Sequence, residues 1–451
     1  MNFQSFKLAS FFESFQTSVN QGFRPILLVI FAVFLSVFLP VLAAFLDQPI
    51  FKIVPLLFFI GFFSFFVFVA KIKLTLFFYF LILAVLYAGN FAFSERHPWG
   101  FPVVLCQAVI ISLILQCTWE DRYFREFIRY VSIGFVLIYA WTFIEWALIL
   151  YGYQPLMVDI LGSESVRGYK WTNSAAFFNF LFGEETFVIR DRTYYGLIFG
   201  ANGPSLGSQS LSQLMLMGTI WFTFLPYERG TKIFQIIWVL ITIFFLASCA
   251  TMTVTITGFI ILTYLIVFDR KTFFGSLWIR GLAILGIIFF SEKIFRLVFY
   301  RIRNSTDLAD YLSAYNMLYL FDNLTFTEFL FGAKDDFLYY ADFGFGGLAY
   351  YGGLASLILI FGFFTLECLK SHIVRMKAFK MSVYKDLRVK NMWSLNLISM
   401  LNVGVCFIGL VHYTPSIELG VGQLFAFFIG FLIFSTQKLF LTIKSYEKAK
   451  S

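Results

Sequence analysis

The sequence predicts an all-α, polytopic membrane protein with about twelve transmembrane helices and two large loops on the outer side of the membrane. Three observations predict it. Of the 451 residues, 60% are hydrophobic and only 13% charged, more apolar surface than a soluble chain of this length buries. Apolar runs long enough to cross a hydrocarbon core, roughly 20 residues each, recur along the chain. Two segments, 152–204 and 292–343, interrupt that rhythm with arginines, acids and aromatics. No internal repeat and no linker divides the chain, so 1–451 is expected to form one integral membrane unit.

In chain order, residues 1–24 lack the compact apolar core and cleavage site of a signal peptide; their phenylalanines suit a surface-lying amphipathic segment, and a disordered tail fits them equally well. Spans are then expected at 24–46, 50–70, 74–93, 101–117, 128–151, 205–225, 233–248, 252–268, 276–291, 344–366, 392–412 and 418–437. The seventh and eighth join through a tight turn at SCATMT, a run of small and hydroxyl residues suited to close helix packing. With both termini inside, most of the 34 Lys and Arg fall on cytoplasmic segments, notably the basic loop ECLKSHIVRMKAFKMSVYKDLRVK and the tail with Lys438, Lys444, Lys448 and Lys450. The net charge of +8 is therefore a topology signal, and no nucleic-acid motif accompanies it. The five cysteines lie in or beside apolar runs without ligand spacing, so neither a disulfide framework nor a metal site is expected.

The first loop carries Arg167, Lys170, Arg190 and Arg192 among its basic residues, with Asp159, Glu164, Glu184, Glu185 and Asp191 as acids. Its AAFFNFLF run suits an interfacial helix. In GLIFGANGPSLGSQS, Gly200, Gly203 and Pro204 interrupt any helix that enters from Tyr194, and a new helix is expected near Pro204. Such a helix start presents backbone N–H groups and a positive dipole end, a natural site for an anion. The second loop groups Arg296, Arg301 and Arg303. If helical, it lines Asp307, Asp310, Tyr311 and Tyr315 along one side, and LTFTEFLFG ends the segment at Gly332. Asp335, Asp336 and Asp342 follow, just before the span at 344.

Arginine suits a diphosphate, because its planar fork bonds phosphate oxygens in pairs and keeps its charge. The carboxylates suit a general base toward a sugar hydroxyl, or the orientation of the arginines. Glu145, an acid inside the fifth span, is a functional candidate or a partner of Gln213 or Thr255. His97, His372 and His412 are more ordinary as structural residues.

The layout resembles the Wzy-type O-antigen polymerases and their relatives, the O-antigen ligases. In that family an arginine precedes a Gly/Asn/Pro/Ser-rich entry into a span; here Arg190 or Arg192 precedes GANGPSLG, with Asn202 and Pro204 in the turn. A small-residue Ser/Thr patch follows, like SCATMTVTITG. The second loop then gives arginines, an aromatic, an FG pair, acids and a Gly-rich span entry; here these are Arg301 and Arg303, Tyr315, Phe331-Gly332, Asp335, Asp336 and Asp342, and GFGGLAYYGGL. The similarity runs from about 165 to 365 and rests on the order of short motifs. The ligases tend to carry a histidine near the place of Asp335 and Asp336, and the second loop has none, which favours polymerase over ligase.

The resemblance implies a glycosyltransferase of the bacterial inner membrane in lipopolysaccharide biosynthesis. It joins undecaprenyl-diphosphate-linked oligosaccharide repeat units, donor and acceptor, on the periplasmic side. It implies no cofactor or metal, and a polysaccharide chain-length regulator as a partner beside the lipid bilayer. Arg190, Arg192, Arg301 and Arg303 would stabilise the departing diphosphate, and Asp336 or Asp342 would take the acceptor proton. Arg167, Tyr194, Tyr195, Asn202, Tyr311, Tyr315 and Asp335 would bind substrate. A flippase would instead place charges inside the spans and repeat its halves; here the charges sit mainly in the outer loops, with Glu145 the main exception, and no repeat of halves is evident.

Overall fold

The computed structural model describes residues 24–46, 74–94, 100–116, 121–150, 186–189, 192–195, 208–225, 325–332, 344–380, 387–409 and 420–450, with Gly61 and Pro204. The helices are α1 (Arg24–Leu46), α2 (Leu74–Ser94), α3 (Gly100–Gln116), α4 (Asp121–Leu150), α5 (Ser208–Phe224), α6 (Phe326–Phe331), α7 (Gly344–Lys380), α8 (Leu387–Gly409) and α9 (Val421–Lys450). One antiparallel hairpin, β1 (Thr186–Ile189) and β2 (Arg192–Tyr195), lies between α4 and α5 in the chain.

Among the described residues three helices are long and apolar enough to cross a membrane: Phe124–Glu145, Gly352–Lys380 and Val421–Lys448. Shorter apolar stretches run Val29–Leu39, Tyr79–Gly89 and Val104–Gln116. The spans expected at 24–46, 74–93, 101–117, 128–151, 205–225, 344–366, 392–412 and 418–437 coincide with helices. Those expected at 50–70 (Gly61 apart), 233–248, 252–268 and 276–291, and the N-terminal segment, lie outside the described residues.

The centre of the bundle is α9, which packs on α8, α3, α7 and α1. Its sequence explains the position. VGQLFAFFIGFLIFST is apolar all round, and every side chain from Val421 to Thr436 is buried. A helix with no polar face belongs in the middle of a bundle. Phe427, Phe428 and Phe431 meet Phe127 and Phe135 of α4 in stacked and tilted pairs with centroids 4.7–6.4 Å apart, and Trp221 of α5 joins the same cluster. α4 shows the opposite pattern. Phe127, Val131, Phe135, Ile138 and Thr142 face the bundle, while Ile133, Val136, Leu137, Phe143 and Ile144 are exposed. An exposed face of that composition suits lipid.

Two features differ from expectation. The stretch expected as a cytoplasmic loop after 366 is helical through Lys380, because α7 continues without a break at its hydrophobic limit. A hydropathy boundary marks the edge of hydrocarbon, whereas a helix ends only where its backbone is capped. The fold is also not purely helical. Tyr194 and Tyr195 lie in β2, so no helix enters there. The strands TFVI and RTYY are rich in β-branched and aromatic residues, which favour pleated backbone.

At one end of the bundle α7 and α9 finish together, where Lys377 Nζ meets Glu447 Oε1 at 2.8 Å and Ala378, Val389, Leu439 and Ile443 form a small second core. A polar network ties three helices just inside this basic end. Ser371 Oγ donates to Asn396 Oδ1 at 2.7 Å. Asn396 Nδ2 donates to Ser435 Oγ at 3.0 Å and Thr436 Oγ1 at 2.9 Å. Arg375, 3% exposed, lies 5.4 Å above the Trp393 ring.

Candidate functional site

α5 and α7 both begin at the opposite end of the bundle; in the chain the first long loop leads into α5 and the second, through α6, into α7. Three local structures shape this end.

The first is a broken helix. α7 is interrupted at Gly353, with φ 71° and ψ 166°, a conformation that only glycine adopts without strain. The break begins a new helical segment, and Ser356 Oγ returns a hydrogen bond to Gly353 O at 2.9 Å. Docked against it is α6. Its N-terminus carries a capping box, in which Thr325 Oγ1 accepts from Glu328 N at 3.3 Å and Glu328 Oε2 accepts from Thr325 N at 3.0 Å. Its C-terminus is closed by Gly332 at φ 96°. The carbonyls of Phe329 and Leu330 press on Gly353, and the Phe331 ring on Gly89 of α2, so neither glycine has room for a Cβ. The negative carbonyl end of α6 thus meets the start of the inner segment of α7, which is electrostatically favourable. Tyr87 and Ser356 flank neighbouring Gly352. Farther in, Tyr79, Tyr87, Gln107, Ile360, Phe364 and Phe425 line a small cavity, where Gln107 Nε2 donates to Gly422 O at 3.2 Å.

The second is the start of α5 beside a buried acid. α4 and α5 run antiparallel, fixed by Trp221 Nε1 to Ser132 Oγ at 2.9 Å and Tyr139 OH to Met215 O at 2.7 Å. Glu145, six residues beyond Tyr139, therefore falls level with the first turn of α5. It is 2% exposed, and Ser210 and Ser212 are buried. A carboxylate beside a helix N-terminus lies at the favourable end of the dipole. The helix begins at Ser208, four residues after the expected Pro204, which is itself buried and has the tighter 3-10 helical geometry. The expected pairing of Glu145 with Gln213 is not made. The Gln213 carboxamide packs on Gly409 of α8 and has no hydrogen-bond partner among the described residues. Thr255, the other expected partner, lies outside them.

The third is the hairpin of the first loop. Its register is Thr186↔Tyr195, Phe187↔Tyr194, Val188↔Thr193 and Ile189↔Arg192. Arg190 and Asp191 alone separate the strands in sequence. Of the residues expected to act in catalysis or binding, Arg192, Tyr194 and Tyr195 thus share β2. Arg167, Arg190, Asn202, Arg301, Arg303, Tyr311, Tyr315, Asp335, Asp336 and Asp342 lie outside the described residues, as do His97 and His412. His372 stands at the basic end, with Nδ1 3.3 Å from the Arg375 guanidinium, far along α7 from the loops.

The α7 break and the α6 cap were missed from sequence although both carry a signal: Gly352-Gly353 is a breaker pair inside an apolar run, and T-F-T-E before Phe329 is a capping box. No protein-family model matches the chain, and no curated protein matches it.

Proposed function

We propose that this protein is a polymerase of lipid-linked oligosaccharides, of the Wzy type. It lengthens a surface polysaccharide at the periplasmic face of the inner membrane, transferring the growing chain onto an incoming undecaprenyl-diphosphate-linked unit. The observation that carries the reading is that α5 and α7, the helices that follow the two long loops in the chain, begin at the same end of the bundle. The chain that bears the loop arginines and tyrosines runs into the N-terminus of α5 beside Glu145, and the chain that bears Asp335, Asp336 and Asp342 joins α6 to the broken helix α7. Broken helices and helix N-termini inside a bundle are tolerated where they serve a polar cavity, and the order of motifs from about 165 to 365 supports the same assignment.

In the proposed reaction an acceptor sugar hydroxyl attacks the anomeric carbon at the reducing end of the growing chain. The bond from that carbon to the diphosphate oxygen breaks, and undecaprenyl diphosphate leaves with the electron pair. Arg190, Arg192, Arg301 and Arg303 hold the negative charge that builds on the leaving group. Asp336 or Asp342 accepts the hydroxyl proton. Tyr194, Tyr195, Tyr311 and Tyr315, with Arg167, Asn202 and Asp335, hold the sugars.

Deleting the gene and displaying surface polysaccharide on a gel tests this assignment. The expected result is loss of the ladder with retention of a single repeat on the lipid core. Loss of all attached repeats points instead to a ligase or a flippase.

A further inference from the structure

The seam between α5 and α8 contains polar groups that neither helix satisfies. Gln213, Ser399 and Asn402 are each fully buried. Both polar atoms of the Gln213 carboxamide, both of Asn402 and the Ser399 hydroxyl have no hydrogen-bond partner among the described residues. Gln213 and Asn402 fall on one seam, with Ser399 toward its edge. Gln213 packs on Gly409, and Asn402 lies seven residues before Gly409, two turns along the same face of α8. Ser399 lies a further three residues along, and buried Cys406 stands between Asn402 and Gly409. The neighbouring seam of α5 with α4 is different, because Tyr139, Thr219 and Trp221 there all bond across it or to their own helix.

We propose that the α5–α8 seam is a binding site for a short file of water molecules, entering from the loop end and reaching the level of Ser399. A buried carboxamide with no partner is costly, most of all in a bundle surrounded by hydrocarbon. Each carboxamide here offers both a donor and an acceptor, and water supplies both in return. The Gln213 carboxamide occupies the space where Gly409 lacks a side chain, which leaves no gap there for a ligand as large as a sugar ring. The levels of Gly409 and Asn402 are about 10 Å apart along the helix, a distance that a few hydrogen-bonded waters span. The seam carries only neutral oxygens and amide donors, so it suits water better than an ion. This site is independent of the polymerase assignment.

Native Cys406 reports on the seam directly. The unsubstituted protein in lipid nanodiscs is exposed to X-ray-generated hydroxyl radicals in ¹⁸O-labelled water, and oxygen incorporation is read by mass spectrometry. Bound water beside Cys406 gives ¹⁸O at that sulfur, while Cys106, equally buried in the apolar packing of α3, stays unmodified. Labelling of Cys406 is lost in the Gln213→Leu, Asn402→Leu double variant. If Cys406 is as inert as Cys106 in the unsubstituted protein, the seam is dry and the proposal fails, whether or not the double variant folds. If labelling persists unchanged in a folded double variant, these carboxamides do not hold the water and the assignment is wrong.

Discussion

Gly353→Ala tests whether the break in α7 is held by α6. The cost has two parts. At φ 71° and ψ 166° a non-glycine residue is strained by about 1–3 kcal/mol. The added Cβ also meets the backbone carbonyls of Leu330 and Phe329. Backbone cannot rotate away like the end of a flexible side chain, so overpacking adds about 1–3 kcal/mol. The expected destabilisation is about 2–6 kcal/mol in all. Gly362 supplies the control on the same helix. Nothing lies within 4 Å of a Cβ there, and alanine exceeds glycine as a helix former by about 0.5–1 kcal/mol. Gly362→Ala is therefore expected to be neutral or slightly stabilising. The assay is SDS-induced unfolding of the purified protein followed by tryptophan fluorescence, with the polysaccharide ladder read in cells. Gly353→Ala should unfold at lower denaturant and lose the ladder while Gly362→Ala keeps both. Equal stability of the two variants would mean that α6 does not hold the break.

Tyr139→Phe removes the hydroxyl that bonds Met215 O, yet that carbonyl keeps Thr219 Oγ1 at 2.9 Å; a loss of about 0.5–1.5 kcal/mol in the same unfolding assay is expected. Asn396→Leu removes the bonds to Ser371, Ser435 and Thr436. At about 0.6 kcal/mol for each bond between helices in a membrane, it should cost about 2 kcal/mol. Ser435 and Thr436 retain their bonds to Phe431 O and Leu432 O, so a much larger loss would mean that the network does more than join helices. Arg190→Ala, Arg192→Ala, Arg301→Ala and Arg303→Ala are expected to shorten or abolish polymer on the gel at unchanged protein level; full-length polymer from all four would remove the diphosphate clamp from the mechanism.

The helices were legible because a span must be apolar along its whole length, a signal that survives ignorance of tertiary contacts. Their ends were not: α4 begins at Asp121 and α7 runs to Lys380, since hydropathy records the solvent around a helix and not the backbone that forms it. The hairpin escaped notice because Arg190-Asp191 is not an Asn-Gly or Asp-Gly turn and the strands are only four residues long. At the candidate site, Gly332 was recognised as a terminator, and its positive φ agrees. The partner of Gln213 was misjudged because a sequence does not reveal which way a helix is rotated. Gln213 and Glu145 both belong to apolar spans, but Gln213 turns to α8 and Gly409. The rotational setting comes from aromatic packing of α4, α5 and α9 around Phe127, Phe135 and Trp221, which no local pattern encodes.

The central claim is the transfer of sugar between lipid-diphosphate carriers, and reconstitution tests it most directly. The purified protein is placed in liposomes with a single undecaprenyl-diphosphate-linked repeat unit as both donor and acceptor. The expected product is a ladder of longer lipid-linked chains, with one undecaprenyl diphosphate released for each bond formed. A repeat unit that remains single with its carrier intact, in the presence of folded protein, would contradict the claim.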